Sequence, residues 1–305
     1  GHNCVLDTTR TIGSLTIQAS ATIVGGGNKL IIQSEGDAAG GTEHYALKND
    51  GIVSGNLHLE FTYAGETAAG FNGSSGNFND IKLNAASVDL NQVGVATFDS
   101  LIIVANATYD AGNDGLTISG DVSVTGNLLG NSTPTISMGS LLINSGGTYS
   151  ATSGTTTITN ETSGHAWKNN GGTFTHNDGK VIIDFDTGNV AGATEVKENT
   201  FYDFEVKLDQ AGYELRLEDH SSTNAMDILN NLTVTKGIFD TMTKSDTLTI
   251  HGQTIIESDG VFTEADHDTN KIIHNGLVTN LGTYKINDGT TVKMNGGIRN
   301  LGTIT

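Results

Sequence analysis

One proline, one cysteine and one tryptophan in 305 residues leave this chain short of the residues that most often constrain or staple a fold. With Cys4 alone no intrachain disulfide forms, so stability has to come from packing and backbone pairing. We read Cys4 as an idle thiol rather than a bridge to another chain. Cations are scarce as well: 15 Lys and Arg face 34 Asp and Glu, a formal charge of −19. Such a surface repels phosphate backbones, which excludes nucleic acid as a partner class. It suits solubility in an extracellular setting. No apolar run approaches the ~20 residues of a membrane-spanning helix, so no membrane insertion is expected within this segment.

The near-absence of proline also sets the chain apart from disordered linkers, which carry proline and glycine together. Glycine is abundant here, at 40, and it punctuates short apolar runs, where it is expected to supply turns with positive φ. No signal peptide or initiating Met is seen. The chain opens in mid-pattern at Gly1-His2-Asn3 and stops inside another copy at Asn300-Leu301-Gly302-Thr303-Ile304-Thr305. We read it as a segment or mature fragment of something longer, with secretion and anchoring signals elsewhere.

What is present is a recurring phrase. It reads Gly147-Thr148-Tyr149, Gly172-Thr173-Phe174, Gly237-Ile238-Phe239, Gly260-Val261-Phe262, Gly282-Thr283-Tyr284 and Gly302-Thr303-Ile304. Self-similarity at a period of roughly 20–25 residues marks a stacked-repeat architecture. Between copies run alternating apolar pairs such as Leu101/Ile103, Leu116/Ile118, Val122/Val124, Leu232/Val234 and Leu248/Ile250. Period two over three to six residues predicts short strands with one buried face. The best helix candidate, Thr223 to Asn231, is too short to convince.

A second phrase, Phe78-Asn79-Asp80-Ile81-Lys82-Leu83, resembles Phe98-Asp99-Ser100-Leu101-Ile102-Ile103 and Phe201-Tyr202-Asp203-Phe204-Glu205-Val206. The distance from Phe98 to Phe201 suggests a larger repeat built of several coils. From Asp184 to Asp219 charge rises and glycine thins out, and Phe201 to Asp219 reads as a charged hairpin around Asp209-Gln210-Ala211-Gly212.

A single coil of this length cannot offset its own backbone entropy, about 1–2 kcal/mol per residue, with the few apolar side chains it buries. Stacked coils can, because each pairs on both sides and shares one interior. We therefore expect an all-β parallel β-helix, or β-solenoid, of about 13 coils at the repeat length above. Residues 1–186 would form coils, 187–222 a charged excursion or junction, and 223–305 further coils. A β-sandwich is the architectural rival, but its strands need not resemble one another.

The runs Asn231-Leu232-Thr233-Val234, Asp246-Thr247-Leu248-Thr249-Ile250 and Asn280-Leu281-Gly282-Thr283-Tyr284 resemble the coil repeats of secreted bacterial adhesins and of phage tail fibres and tailspikes. The resemblance implies an extracellular structural or attachment role, on a secreted, cell-surface or virion-surface protein. Its partners would be cell-surface or matrix glycans or a protein receptor, with self-association into a fibre.

Some tailspikes cleave polysaccharides with clustered carboxylates, and such work needs two carboxyls about 5–9 Å apart. Asp184 with Asp186, Asp203 with Glu205, and Glu214, Glu218 and Asp219 are candidates, but 34 acidic residues make close pairs common, and a solvated face is the better reading. Sugar grooves are lined with aromatics; Trp167 is read as a packing residue. Asp266-His267-Asp268-Thr269-Asn270, Asn113-Asp114-Gly115 and Asn287-Asp288-Gly289 offer oxygens for calcium, yet Asn-Asp-Gly is an ordinary turn sequence.

The histidines lack metal spacing, so His165, His176 and His251 are expected to cap coil edges. Gly25-Gly26-Gly27-Asn28 precedes a strand rather than a helix and cannot cradle phosphate. Sequons at Asn72, Asn106 and Asn231 are expected by chance in an Asn/Thr-rich chain. We therefore assign no catalytic, cofactor-binding or metal residues and expect no cofactor and no enzymatic activity. The alternatives are a tailspike-type polysaccharide depolymerase or lyase, and a carbohydrate-binding module.

Overall fold

The computed structural model describes residues 3–34, 44–63, 69–72, 76–132, 134–185, 193–198, 200–209, 212–217, 225–241, 247–263, 271–287 and 289–305. Among these the regular elements are all β-strands; no helix occurs, so none is long and apolar enough to cross a membrane. The chain is an all-β parallel solenoid whose coils stack about 22 residues apart. It makes about 11 turns, against the 13 expected. The count falls because some coils are long: Leu15 stacks on Leu47, and Phe204 on Leu232.

Two compact units are formed, Gly1–Gly154 with Asn170–Thr175, and Thr155–Asn169 with His176–Thr305. In the first, each turn gives strand to a broad sheet and a short strand to an eight-stranded sheet. Ala96–Ile103, Leu116–Val124 and Thr135–Asn144 lie side by side in the broad sheet, with Phe98, Ile118 and Met138 in one column and Ile103, Val124 and Ile143 in another. Between the columns the register shifts, after Phe98 and after Ile118, where each strand bends. In Leu116–Val124, Leu116, Ile118, Val122 and Val124 are buried while Thr117 is exposed and Ser123 half-buried, which is the alternation the pleat imposes. The short strands stack Leu90, Tyr109, Leu128, Tyr149 and Phe174.

The second unit repeats the plan with a five-stranded sheet in place of the eight-stranded one. Its broad sheet carries Leu232–Asp240 and Thr254–Thr263, and a column of Phe239, Phe262 and Tyr284 runs through the core and ends on the exposed Ile304. The ring centroids of Phe239 and Phe262 lie 5.7 Å apart and those of Phe262 and Tyr284 5.0 Å apart. Within this unit the recurring phrase thus marks one position of successive coils, whereas its copies at Tyr149 and Phe174 lie on the eight-stranded sheet of the first unit. Its glycine serves chiefly close approach: a Cβ on Gly282 would meet the Glu257 carbonyl oxygen at 2.2 Å, and one on Gly302 the Gly282 carbonyl oxygen at 2.2 Å. Positive φ, the expected reason for glycine, applies to Gly237 in this series.

Phe78 and Phe98 are register partners, as the second phrase suggests. The proposed larger repeat is not an equivalence of position, since Phe98 lies in the broad sheet and Phe201 in the five-stranded one. The helix candidate is a strand over Ala225–Ile228. The charged hairpin is also corrected. Asp203–Leu208 pairs in parallel with Lys180–Phe185 and Leu232–Asp240, and Glu214–Leu217 pairs in parallel with Ala193–Lys197 and Leu232–Asp240. Coil-to-coil pairing on both sides takes up the backbone groups that a hairpin would have used. Within 187–222, the strands Ala193–Lys197, Thr200–Phe201, Asp203–Leu208 and Glu214–Leu217 all belong to the stack.

Candidate functional site

Of the carboxylates singled out in the sequence, Asp184, Asp203, Glu205 and Glu214 sit at half-buried positions of the broad sheet of the second unit. The first three meet a partner on a neighbouring strand or coil, and Glu214 meets one on its own strand. Asp184 accepts from Lys207 Nζ at 2.6 Å, and Asp203 accepts from Asn230 Nδ2 at 3.0 Å and the Asn231 amide at 2.9 Å. Glu205 is held by Lys180 on one side and by the Thr235 hydroxyl, 2.7 Å away, on the other. Glu214 takes the Arg216 guanidinium through two bonds of 2.9 Å. Asp186, Glu218 and Asp219 lie outside the described residues.

These partners fix the charge state. Burial pushes the Glu205 carboxyl up, but the hydrogen bonds from Lys180 and Thr235 outweigh it and hold the group below the usual carboxylate range. For Glu214 burial likewise raises, while hydrogen bonds with Asp240 and Arg216 win and lower it. A general acid needs the reverse, a carboxyl that keeps its proton near neutrality. As placed, both carboxylates are ionised: Glu205 is a rung between strands, and Glu214 is paired along its own strand with Arg216.

The first unit carries a second set of rungs at the strand bends, which the sequence reading missed. His58 Nδ1 lies 2.6 Å from Asp80 Oδ2, and Ser100 Oγ donates to Asp80 Oδ1 at 2.6 Å. One coil further on, Ser119 Oγ donates to Asp99 at 2.9 Å, and one coil beyond that Ser140 Oγ donates to Asp121 at 2.8 Å. His, Asp and Ser are the residue types of a nucleophilic triad, but the order is wrong. The carboxylate stands in the middle, so the imidazole makes no contact with the serine and cannot take its proton. The only sequence signal for this row is the repeated Asp/Ser pair at the bend.

Asp89 departs in the opposite direction from Glu205 and Glu214. It stands on the eight-stranded sheet, and burial, with the neighbouring Asp110 adding to it, raises its carboxyl above the usual range. Asp110 itself accepts from the Gly112 amide at 2.8 Å and from Asn131 Nδ2.

The remaining candidates are structural in their contacts. Trp167 is fully buried, and its indole N–H donates to Glu198 Oε2 at 3.3 Å; Asn169 donates to the same oxygen at 3.1 Å. In the Asn113-Asp114-Gly115 turn, Asp114 accepts from the Gly94 amide and the Gly115 carbonyl accepts from Gln92. Asp266 to Asn270, and Asp288, lie outside the described residues. Among the described residues no group of three or more His, Cys, Asp and Glu could hold a metal ion.

His165 pairs with Glu195 at 3.2 Å, His176 stacks on Tyr202 with ring centroids 5.6 Å apart, and His251 faces Asp227 at 3.4 Å. Gly25-Gly26-Gly27-Asn28 links two strands, Thr22–Val24 and Lys29–Ile32, with no helix N-terminus beside it. Of the sequon residues, Asn106 is exposed at a turn with φ of 63°, and Asn231 is half-buried, its side chain accepting from the Gln253 amide. Cys4 is exposed on Asn3–Val5. No protein-family model, curated protein or solved structure matches this chain.

Proposed function

We propose that this chain is a non-enzymatic, extracellular structural or attachment segment, a stalk or fibre portion of a surface adhesin or virion appendage. The observation that carries the reading is the commitment of the carboxylates. Asp184, Asp203 and Glu205 are each spent on bonds to a neighbouring strand or coil, Glu214 is spent on Arg216 of its own strand, and the net charge of −19 is carried on a stack of parallel coils. Inter-coil hydrogen bonds resist bending and shear, while the turns between strands present a polar, acidic surface. The partners of that surface would be cell-surface or matrix glycans or a protein receptor, with association of copies into a fibre.

The hydrolytic alternative rests on Asp89, whose raised carboxyl is what a general acid requires. Incubation with a panel of anionic polysaccharides, read as new reducing ends, separates the two. The scaffold reading predicts no reducing ends above the buffer control, for the wild type and for Asp89→Asn alike. Release by the wild type that Asp89→Asn abolishes would overturn it in favour of a depolymerase.

A further inference from the structure

Three core positions of the second unit depart together from the apolar pattern of the coils around them. His274 stacks between Ile250 and Met294, Thr254 between Leu232 and Val278, and Tyr284 between Phe262 and Ile304. The three polar side chains find one another. Thr254 Oγ1 lies 2.7 Å from His274 Nδ1, and the Tyr284 hydroxyl lies 3.0 Å from His274 Nε2. All three are fully buried, and the Phe262 ring packs 5.7 Å from the imidazole. Because Thr254, His274 and Tyr284 belong to three different strands, the triad ties the faces of the coil to one another.

We propose that the Thr254–His274–Tyr284 triad is an acid-sensitive latch that holds the coils between Thr254 and Met294 closed at neutral pH and lets them open in acid. A neutral imidazole offers one donor and one acceptor, which is what a hydroxyl on each side can satisfy. A second ring proton would place an unpaired cation in an apolar core. Among the described residues, the strands packed against the ring offer it no counter-ion. Thr254–Thr263 presents Thr254 and Phe262, Thr247–Ile250 presents Ile250, Thr291–Met294 presents Met294, and among the described residues of these strands Tyr284 is the titratable group that faces it. The charged residues of these strands, Glu257, Asp259, Lys285 and Lys293, occupy half-buried or exposed positions outside the core.

Burial accordingly lowers the imidazole from 6.5 to about 4. The open form, with its ordinary histidine, binds the proton more readily, so closure weakens as pH falls from about 6.5 and the loss is complete near 4. Across that window the opening equilibrium should rise on the order of 100-fold.

The test compares wild type with Thr254→Val/His274→Ile/Tyr284→Phe, which gives each position an apolar residue of the kind its column already holds. Amide hydrogen exchange is read at each pH from 7 to 4, both proteins together, so the intrinsic pH dependence of exchange cancels. Exchange in 254–263 and 271–294 that accelerates tens-fold in wild type relative to the variant as pH falls supports the latch. Parallel curves overturn it. An imidazole NMR titration of wild type guards against a change in the variant's own fold: a neutral His274 down to pH 5 supports the latch, and titration near 6.5 with the fold intact overturns it.

Discussion

At the scale of single residues, the glycine of the repeated phrase is a matter of distance more than of dihedral angle. Gly282 has no room for a Cβ, because the carbonyl oxygens of Glu257 and Gly260 would stand 2.2 and 2.3 Å from it. Gly212, in the same unit, has nothing within 4 Å of that position. Gly282→Ala should therefore cost about 2–4 kcal/mol in a denaturant melt, since a neighbouring coil would have to shift. Gly212→Ala should stay within about 1 kcal/mol of wild type and lean toward stabilisation through the unfolded chain. Equal effects of the two would contradict the close-approach explanation. The periodic glycine was legible from sequence, but its cause was not, because contact with the next coil appears only once the register is known.

The elements show the same division between what a pattern reveals and what pairing decides. Period-two alternation located strands such as Leu116–Val124 and Leu232–Asp240, since burial on one face of a pleat needs nothing beyond local order. Partner choice is non-local. Asp203–Leu208 and Glu214–Leu217 read as a hairpin because a Gly-containing turn separates them, yet both pair with neighbouring coils.

The rungs were hidden for that reason: Asp80 with Ser100, and Glu205 with Lys180, are about a coil apart in sequence and adjacent only across the stack. Thr254, His274 and Tyr284 could have been flagged as polar residues at apolar positions of the repeat, had the columns been aligned first. The aromatic column tests the packing of these elements. Phe262→Ala should cost about 3–5 kcal/mol. Repeats contact chiefly their neighbours, so hydrogen-exchange protection should fall in 232–240 and 271–285 and persist in 96–150. Uniform loss across the chain would contradict a stack of locally stabilised coils.

At the scale of the whole molecule, residues one coil apart lie side by side in parallel register. Thr249 is paired with Ile273, and Ile273 with Lys293, all on the five-stranded sheet. Adjacent strands lie about 4.8 Å apart, within the Cα separation a disulfide tolerates, whereas two coils span about twice that. The direct measurement is oxidative cross-linking on a background in which Cys4 is replaced by Ser, read as the gel shift of a closed loop. Thr249→Cys with Ile273→Cys should close readily while folded, and Thr249→Cys with Lys293→Cys should remain reduced under the same oxidant. Efficient closure of the second pair, or failure of the first in a folded protein, would contradict the parallel stacking on which the proposed role depends.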